Sequence, residues 1–113
     1  MITKEIGGFF ELELSRKREY HCHAIKLNNA RNALWYILKV KRPSKIYLPY
    51  YFCNCIIDQI RNEDIAIEFY HINENFEPQI DDKEIDSNNI LLYINYFGVN
   101  DKVVKTLSNK YKD

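Results

Sequence analysis

The stretch with the most chemical content is Leu27-Asn28-Asn29-Ala30-Arg31-Asn32-Ala33-Leu34-Trp35-Tyr36-Ile37-Leu38. A polar turn opens directly into an amphipathic helix. The first N–H groups of such a helix have no partner within it, and they sit at the positive end of the helix dipole. Together they form a ready site for an anion such as phosphate. The same residues also make an ordinary helix start, with Asn28 or Asn29 as N-cap and nothing bound.

Two other groups carry donor atoms, His21-Cys22-His23 and Cys53-Asn54-Cys55. Alternate residues on a strand point to opposite faces, and neither cluster has the usual gap of about two to four residues between zinc ligands. Three cysteines is an odd number without framework spacing, which fits reduced thiols buried as small hydrophobes. Cys53 with a histidine would form a thiol nucleophile, but no hydrolase signature surrounds it.

The elements that must position these groups follow from periodicity. Ala30, Ala33, Leu34, Ile37 and Leu38 predict a helix over 29–40, ended by Pro43. Ile46–Leu48 predicts a short strand stopped by Pro49. Cys53, Ile56, Ile57 and Ile60 predict a helix over 53–63, and Ile65–Tyr70 a second strand. Strand, helix and strand in this order form a parallel βαβ unit.

Residues 73–88 read as a polar surface loop, with room for a helical turn. Ile90–Tyr96 reads as the most hydrophobic strand, buried on both faces and broken by Gly98. A last helix over 101–111, capped by Asn100 or Asp101, is expected to bury Val103, Val104, Leu107 and Tyr111. Phe9-Phe10-Glu11-Leu12-Glu13-Leu14 alternates weakly and predicts a short extended segment, and 15–19 a charged loop. The order is α-β-α-β-β-α, an α/β class with a mostly parallel sheet. Ligands of such sheets bind at the carboxyl ends of the strands, here in the loops beginning at Pro49 and Asn95.

At 113 residues the chain can hold one small domain or one piece of a larger one. Sixteen basic and sixteen acidic residues cancel, which argues against nucleic-acid or membrane surfaces as partners. No apolar run reaches the length of a membrane span, and the N-terminus lacks a signal-peptide core. The expectation is a soluble cytoplasmic protein. Nine Tyr, six Phe and one Trp gather in the expected strands, where aromatics suit a pleated surface. Tyr50-Tyr51-Phe52 reads as core or dimer interface.

Three of these blocks together resemble the start of a pyridoxal-phosphate (PLP) enzyme of fold type I, in the DegT/DnrJ/StrS-type sugar aminotransferase branch. Asn28–Leu34 is similar to the family's phosphate-binding turn, commonly Ser-Gly-Thr/Arg-x-Ala-Leu. Ile46–Cys53 resembles the strand-Pro-aromatic block that leads to the residue stacking on the cofactor ring. Ile94-Asn95-Tyr96-Phe97-Gly98 resembles the strand end written Val-His-x-x-Gly or His-Asn-Pro-x-Gly. Gly7-Gly8-Phe9-Phe10-Glu11-Leu12-Glu13 also looks like the opening of some members.

The resemblance implies an α/β partial three-layer sandwich. Residues 1–26 would form an N-terminal arm and 27–113 the N-terminal part of the large domain. It implies that backbone N–H groups around Asn29, Ala30 and Arg31 hold the cofactor phosphate, with Ala30 where the family usually has Gly. Asn32 stands where Thr or Ser is common. The ring-stacking position falls near Cys53, with Phe52 one place off, and Asn95 matches a residue that bonds the cofactor's phenolic oxygen. The complete enzyme would be a homodimer that moves an amino group from an amino acid to a keto-sugar nucleotide. None of the eleven lysines sits in a motif resembling the family's Schiff-base lysine. The expectation is therefore a truncated chain that is inactive alone, or a small non-catalytic interaction module derived from that fold.

Overall fold

The computed structural model describes residues 18, 19 and 21–111. The expected extended segment at residues 9–14 and the Gly7-Gly8 opening lie outside the described residues, as do residues 15–17 of the charged loop. The first helix, α1, spans Ala30–Lys41. Its start is fixed by Asn29, whose side chain accepts the Asn32 N–H at 2.8 Å, while Asn32 Nδ2 donates to Asn28 Oδ1 at 2.7 Å. Arg42 ends it in a left-handed conformation (φ 47°), donating its N–H to Leu38 O, and Pro43 follows. Leu34 and Leu38, one turn apart, are buried. Ile37, expected on the buried face, is exposed together with Tyr36 and Val40.

The strand β1 spans Lys45–Pro49, and Ile46 through Pro49 are all buried. Successive side chains alternate in direction. Ile46 and Leu48 pack with Leu34, Leu38, Ile57 and Ile60 in one apolar cluster. Tyr47 points to the other face, where its hydroxyl donates to Glu84 O at 3.2 Å. Each such buried aliphatic side chain contributes about 1.5–3 kcal/mol of transfer free energy.

The expected second helix is shorter than 53–63. A 3₁₀ turn at Asn54–Ile56 leads into α2, Ile57–Arg61. Ile57 and Ile60 are buried and Ile56 half-buried, but Cys53 is exposed, as is Cys55. These thiols are therefore not the buried small hydrophobes expected from the sequence. They precede the first full helical turn, so the apolar face of α2 does not include them.

β2, Ala66–Ile72, runs parallel to β1, with Ile46 opposite Ile67 and Leu48 opposite Phe69. The segment expected as loop then contributes β3, Pro78–Gln79, antiparallel to β2. The reversal is built by Asn73, whose side chain accepts the N–H groups of Asn75 and Glu77, each at 2.9 Å. A 3₁₀ turn at Asp82–Glu84 follows. β4, Asn89–Leu91, pairs parallel with β1 on its opposite side.

Among the described residues, four strands form one sheet in the order β3-β2-β1-β4. The described residues thus form a small α/β domain with three helices and a mixed sheet. The expected mostly parallel sheet holds in part: β2 and β4 run parallel to β1, and β3 adds an antiparallel edge. The expected strand at 90–96 is corrected to three residues. It is half-buried rather than buried on both faces, because β4 lies at the sheet edge. Past Leu92, whose N–H still donates to Tyr47 O at 3.0 Å, the chain turns into a 3₁₀ segment at Tyr96–Gly98.

The last helix, α3, spans Asp101–Lys110 and has no buried residue. Val103, Leu107 and Tyr111 are half-buried and Val104 is exposed, which corrects the expected burial of all four. A groove of about 500 Å³ separates α3 from β4, and Val104, Leu107 and Tyr111 face it instead of a closed core, while Val103 faces the segment 78–82. Polar contacts hold the helix. Tyr111 donates to Asp82 Oδ1 at 2.8 Å, Lys110 pairs with Asp82, and the Asn100 N–H donates to Asn95 Oδ1 at 2.8 Å.

Two outcomes follow. Leu38→Ala, in the fully packed cluster, should lower unfolding free energy by about 2–5 kcal/mol, whereas Val40→Ala should change it by about 0.5 kcal/mol or less; urea denaturation checks both. Lys110 and then Tyr111 hold the Asp82 carboxyl below the usual carboxylate range. Its folded pKa lies below its unfolded one, so its stabilisation is complete above the unfolded value. It is lost as pH falls through the folded value, below about 4. Wild type should therefore lose stability over that acid range more steeply than Asp82→Asn, and acid titration of the thermal midpoint reads the difference.

Candidate functional site

The chemistry expected from the sequence depends on which ends of the elements meet. α1 runs back along the sheet before β1 begins. Its 12 residues span about 18 Å, and the 5 residues of β1 span about 16 Å. The first turn of α1 therefore lies level with the carboxyl end of β1. β1 has β2 on one side and β4 on the other, so the connections after β1 and β4 leave in different directions. Such a switch in strand order opens a crevice at the carboxyl ends of the strands.

At the α1 side of this end, the Asn29 carboxamide oxygen occupies the Asn32 N–H. By helix geometry the N–H groups of Ala30 and Arg31 have no intrahelical acceptor. The Arg31 side chain lies against α2, lining a narrow crevice with Ile56 and Gln59. Gln59 Oε1 is buried there without a partner, which costs about 1–3 kcal/mol. The Arg31 charge also acts on both thiols of the β1–α2 connection.

Cys53 Sγ accepts the Cys55 N–H at 3.4 Å. A hydrogen bond from the Cys55 thiol, then this N–H, and Arg31 hold the Cys53 thiol below its ordinary pKa. Donation to Cys53 pushes the Cys55 thiol up.

On the β4 side the walls are aromatic. The rings of Tyr51 and Tyr96 stack at 5.4 Å, and the Tyr96 hydroxyl donates to Tyr51 O at 2.9 Å. Phe76 packs on Tyr96 at 5.3 Å and meets Phe97 edge-on at 6.0 Å. Tyr93 donates to Phe76 O at 2.9 Å and Tyr70 to Leu92 O at 2.7 Å. Burial, then the neighbouring Tyr96 and Tyr93, push the Tyr70 phenol up, so it remains a donor at neutral pH. Phe97 adopts a left-handed conformation (φ 57°), followed by Gly98 (φ 69°), and Phe76 does likewise (φ 59°). Such backbone costs about 1–3 kcal/mol at a non-glycine residue. Tyr50 stacks on Phe69 at 5.2 Å and meets His71 in a tilted contact at 4.5 Å.

The structure therefore brings Asn29, Ala30, Arg31 and Asn32 into one helical turn and places Cys53 beside Arg31. Asn95 is held elsewhere on this end. Its Nδ2 donates to Asp101 Oδ1 at 2.7 Å and its Oδ1 accepts the Asn100 N–H, so it fastens the start of α3. One amide proton of Asn95 is left over. His21-Cys22-His23 lies in a turn with both histidines exposed. Among the described residues no three of His, Cys, Asp and Glu gather at a point that could hold a metal, and no helix is long and apolar enough to cross a membrane.

The Tyr51–Tyr96 contact and the reach of Arg31 to the thiols were not foreseen. Their separations of 45 residues for the tyrosines and 22 and 24 for the arginine leave no local pattern. No family model matches the chain, and neither a curated protein nor a solved structure matches it.

Tyr96→Phe keeps the ring stack and removes the bond to Tyr51 O. It should lower stability by about 1 kcal/mol and increase hydrogen exchange in the 50–53 loop. Unchanged exchange there would show that the hydroxyl does not hold the two loops together.

Proposed function

We propose that this chain binds the phosphate of a pyridoxal-type cofactor at the first turn of α1. It would do so as the N-terminal part of a PLP-dependent aminotransferase-like protein of the sugar-aminating kind. The observation that carries the reading is positional. The Asn29–Asn32 turn, the loop after β1 and the loop after β4 gather at the carboxyl end of a sheet whose strand order switches at β1.

The residues present fit the group in part. The Ala30 and Arg31 N–H groups point out of the helix start and suit a phosphate. The Asn29 side chain, which now caps Asn32, would yield that donor or share it. The remaining amide proton of Asn95 suits a phenolic oxygen. Cys53 offers only a thiol at the ring position, and Phe52, half-buried against the core, is the neighbouring aromatic. The cofactor, when bound, supplies an electron sink for the carbanion formed at an amino-acid carbon. The chain's own part is to anchor the phosphate through backbone donors, to orient the ring through Asn95, and to wall the site with Tyr51 and Tyr96. No lysine of this chain is given the covalent role. In this reading the assembled protein is a homodimer, with an amino-acid donor and a keto-sugar nucleotide as substrates.

A second reading has its own support. Tyr50, Tyr51, Phe97 and Val99 are exposed, Phe97 at 77 %, and β4 ends the sheet. This suits a non-catalytic interaction module.

Ala30→Pro separates the two. Proline is tolerated at the first helical position and removes one N–H there, and Asn29 is already extended (φ −159°, ψ 164°) as a residue before proline must be. Titration with pyridoxine phosphate, which lacks the reactive aldehyde, should show binding to wild type. Ala30→Pro should weaken it by about tenfold with an unchanged thermal midpoint. Equal binding by the variant, or none by wild type alongside phosphate-independent self-association, would favour the module.

A further inference from the structure

We propose that Cys53 and Cys55 form a reactive dithiol that exchanges with small-molecule disulfides, Cys53 as the attacking sulfur and Cys55 as the resolving one. The proposal does not depend on cofactor binding. Both residues are exposed, so a small disulfide can reach either sulfur. The backbone at Cys53 is extended (φ −75°, ψ 127°) and the 3₁₀ turn begins at the next residue. This folds Cys55 back over the Cys53 side chain, with the Cys55 N–H 3.4 Å from Cys53 Sγ. Arg31 of α1 lines a crevice with Ile56, the residue after Cys55, and its positive charge acts on both thiols.

The roles of the two sulfurs differ for a physical reason. Cys53 Sγ accepts the Cys55 backbone N–H at 3.4 Å, and the Cys55 side chain beside it also holds the Cys53 thiol below its ordinary pKa, which favours the thiolate. The same neighbour pushes the Cys55 thiol up, so Cys53 is the readier nucleophile of the two. Cys22 is the internal contrast. It is half-buried, it receives Arg18 Nη2 at 3.6 Å, and no cysteine lies near it in sequence to resolve an adduct.

The exchange balances in two steps. The Cys53 thiolate attacks one sulfur of the small disulfide. A Cys53 S–S bond forms, the small disulfide's own S–S bond breaks, and the departing thiolate takes a proton from water. Cys55 then gives its proton to water and attacks Cys53 Sγ. The Cys53–Cys55 bond forms and the second small thiol leaves. Two electrons pass from the cysteine sulfurs to the small disulfide, which is released as two thiols.

The test treats the reduced full chain with oxidised glutathione at neutral pH and follows it by quenching and peptide mass spectrometry. Wild type should accumulate an internal Cys53–Cys55 disulfide, with little glutathione retained at either position. Cys55→Ser should trap glutathione on Cys53. Cys53→Ser should slow reaction at Cys55 by about tenfold, and Arg31→Ala should slow the first step several-fold. The proposal is overturned if wild type retains glutathione on Cys53 as fully as Cys55→Ser does. It is also overturned if Cys55 in the Cys53→Ser variant reacts as fast as Cys53 in the Cys55→Ser variant. Circular dichroism of each variant, matched to wild type, makes a loss of rate a statement about the thiols.

Discussion

Burial of Ile46 and Leu48 against Leu34, Leu38, Ile57 and Ile60 places everything else in this chain. Among the described residues β1 is the one strand with four consecutive buried residues, and it carries a parallel neighbour on each side. Its position is set by apolar side chains from two helices that flank it in sequence. The helix before it must run back along it to deliver Leu34 and Leu38, and this brings the start of α1 to the carboxyl end of β1. The helix after it must begin close to that same end for Ile57 and Ile60 to pack. The connection carrying Cys53 and Cys55 is therefore held near Arg31 as a by-product of core formation.

The two faces of the sheet are stabilised in different ways. The α1–α2 face is a close apolar cluster. The opposite face is closed by polar side chains reaching loop carbonyls, and α3 is fastened at its two ends through Asn95 and Asp82. Contacts of the second kind contribute less per residue and respond to protonation. The unequal burial of α1 and α3 has this origin. Both have apolar residues at helical spacing, but only α1 meets a fully covered strand.

What could be read from the sequence was local. The Asn29 cap and the Leu34/Leu38 spacing located α1, and the apolar runs around Pro49 and Ala66 located the parallel β1–β2 pair. β3 has two residues, one of them proline, and only its partner β2 makes it a strand. The run at 90–96 is apolar enough for a buried strand, but sheet order leaves it at an edge, and sheet order is not a local property. Cys53 and Cys55 look like core residues by type, whereas the helix register beginning at Ile57 excludes them. At the candidate site, the Asn29–Asn32 turn was evident as a helix start. The commitment of Asn95 to α3 was not, because it requires knowing where the following helix begins.

Four tyrosines donate their hydroxyls to distant main-chain carbonyls: Tyr47 to Glu84, Tyr70 to Leu92, Tyr93 to Phe76 and Tyr96 to Tyr51. Their partners lie 37, 22, 17 and 45 residues away. Such bonds form only after the loops they join have been closed, and each closure is an entropic cost met beforehand by the apolar cluster. The aromatic end of the sheet therefore depends on the α1–β1–α2 packing for its stability. The crevice thus has two unlike walls: the Asn29–Asn32 turn and the connection carrying Cys53 and Cys55 rest on the apolar cluster, whereas the aromatic wall rests on long-range hydroxyl bonds.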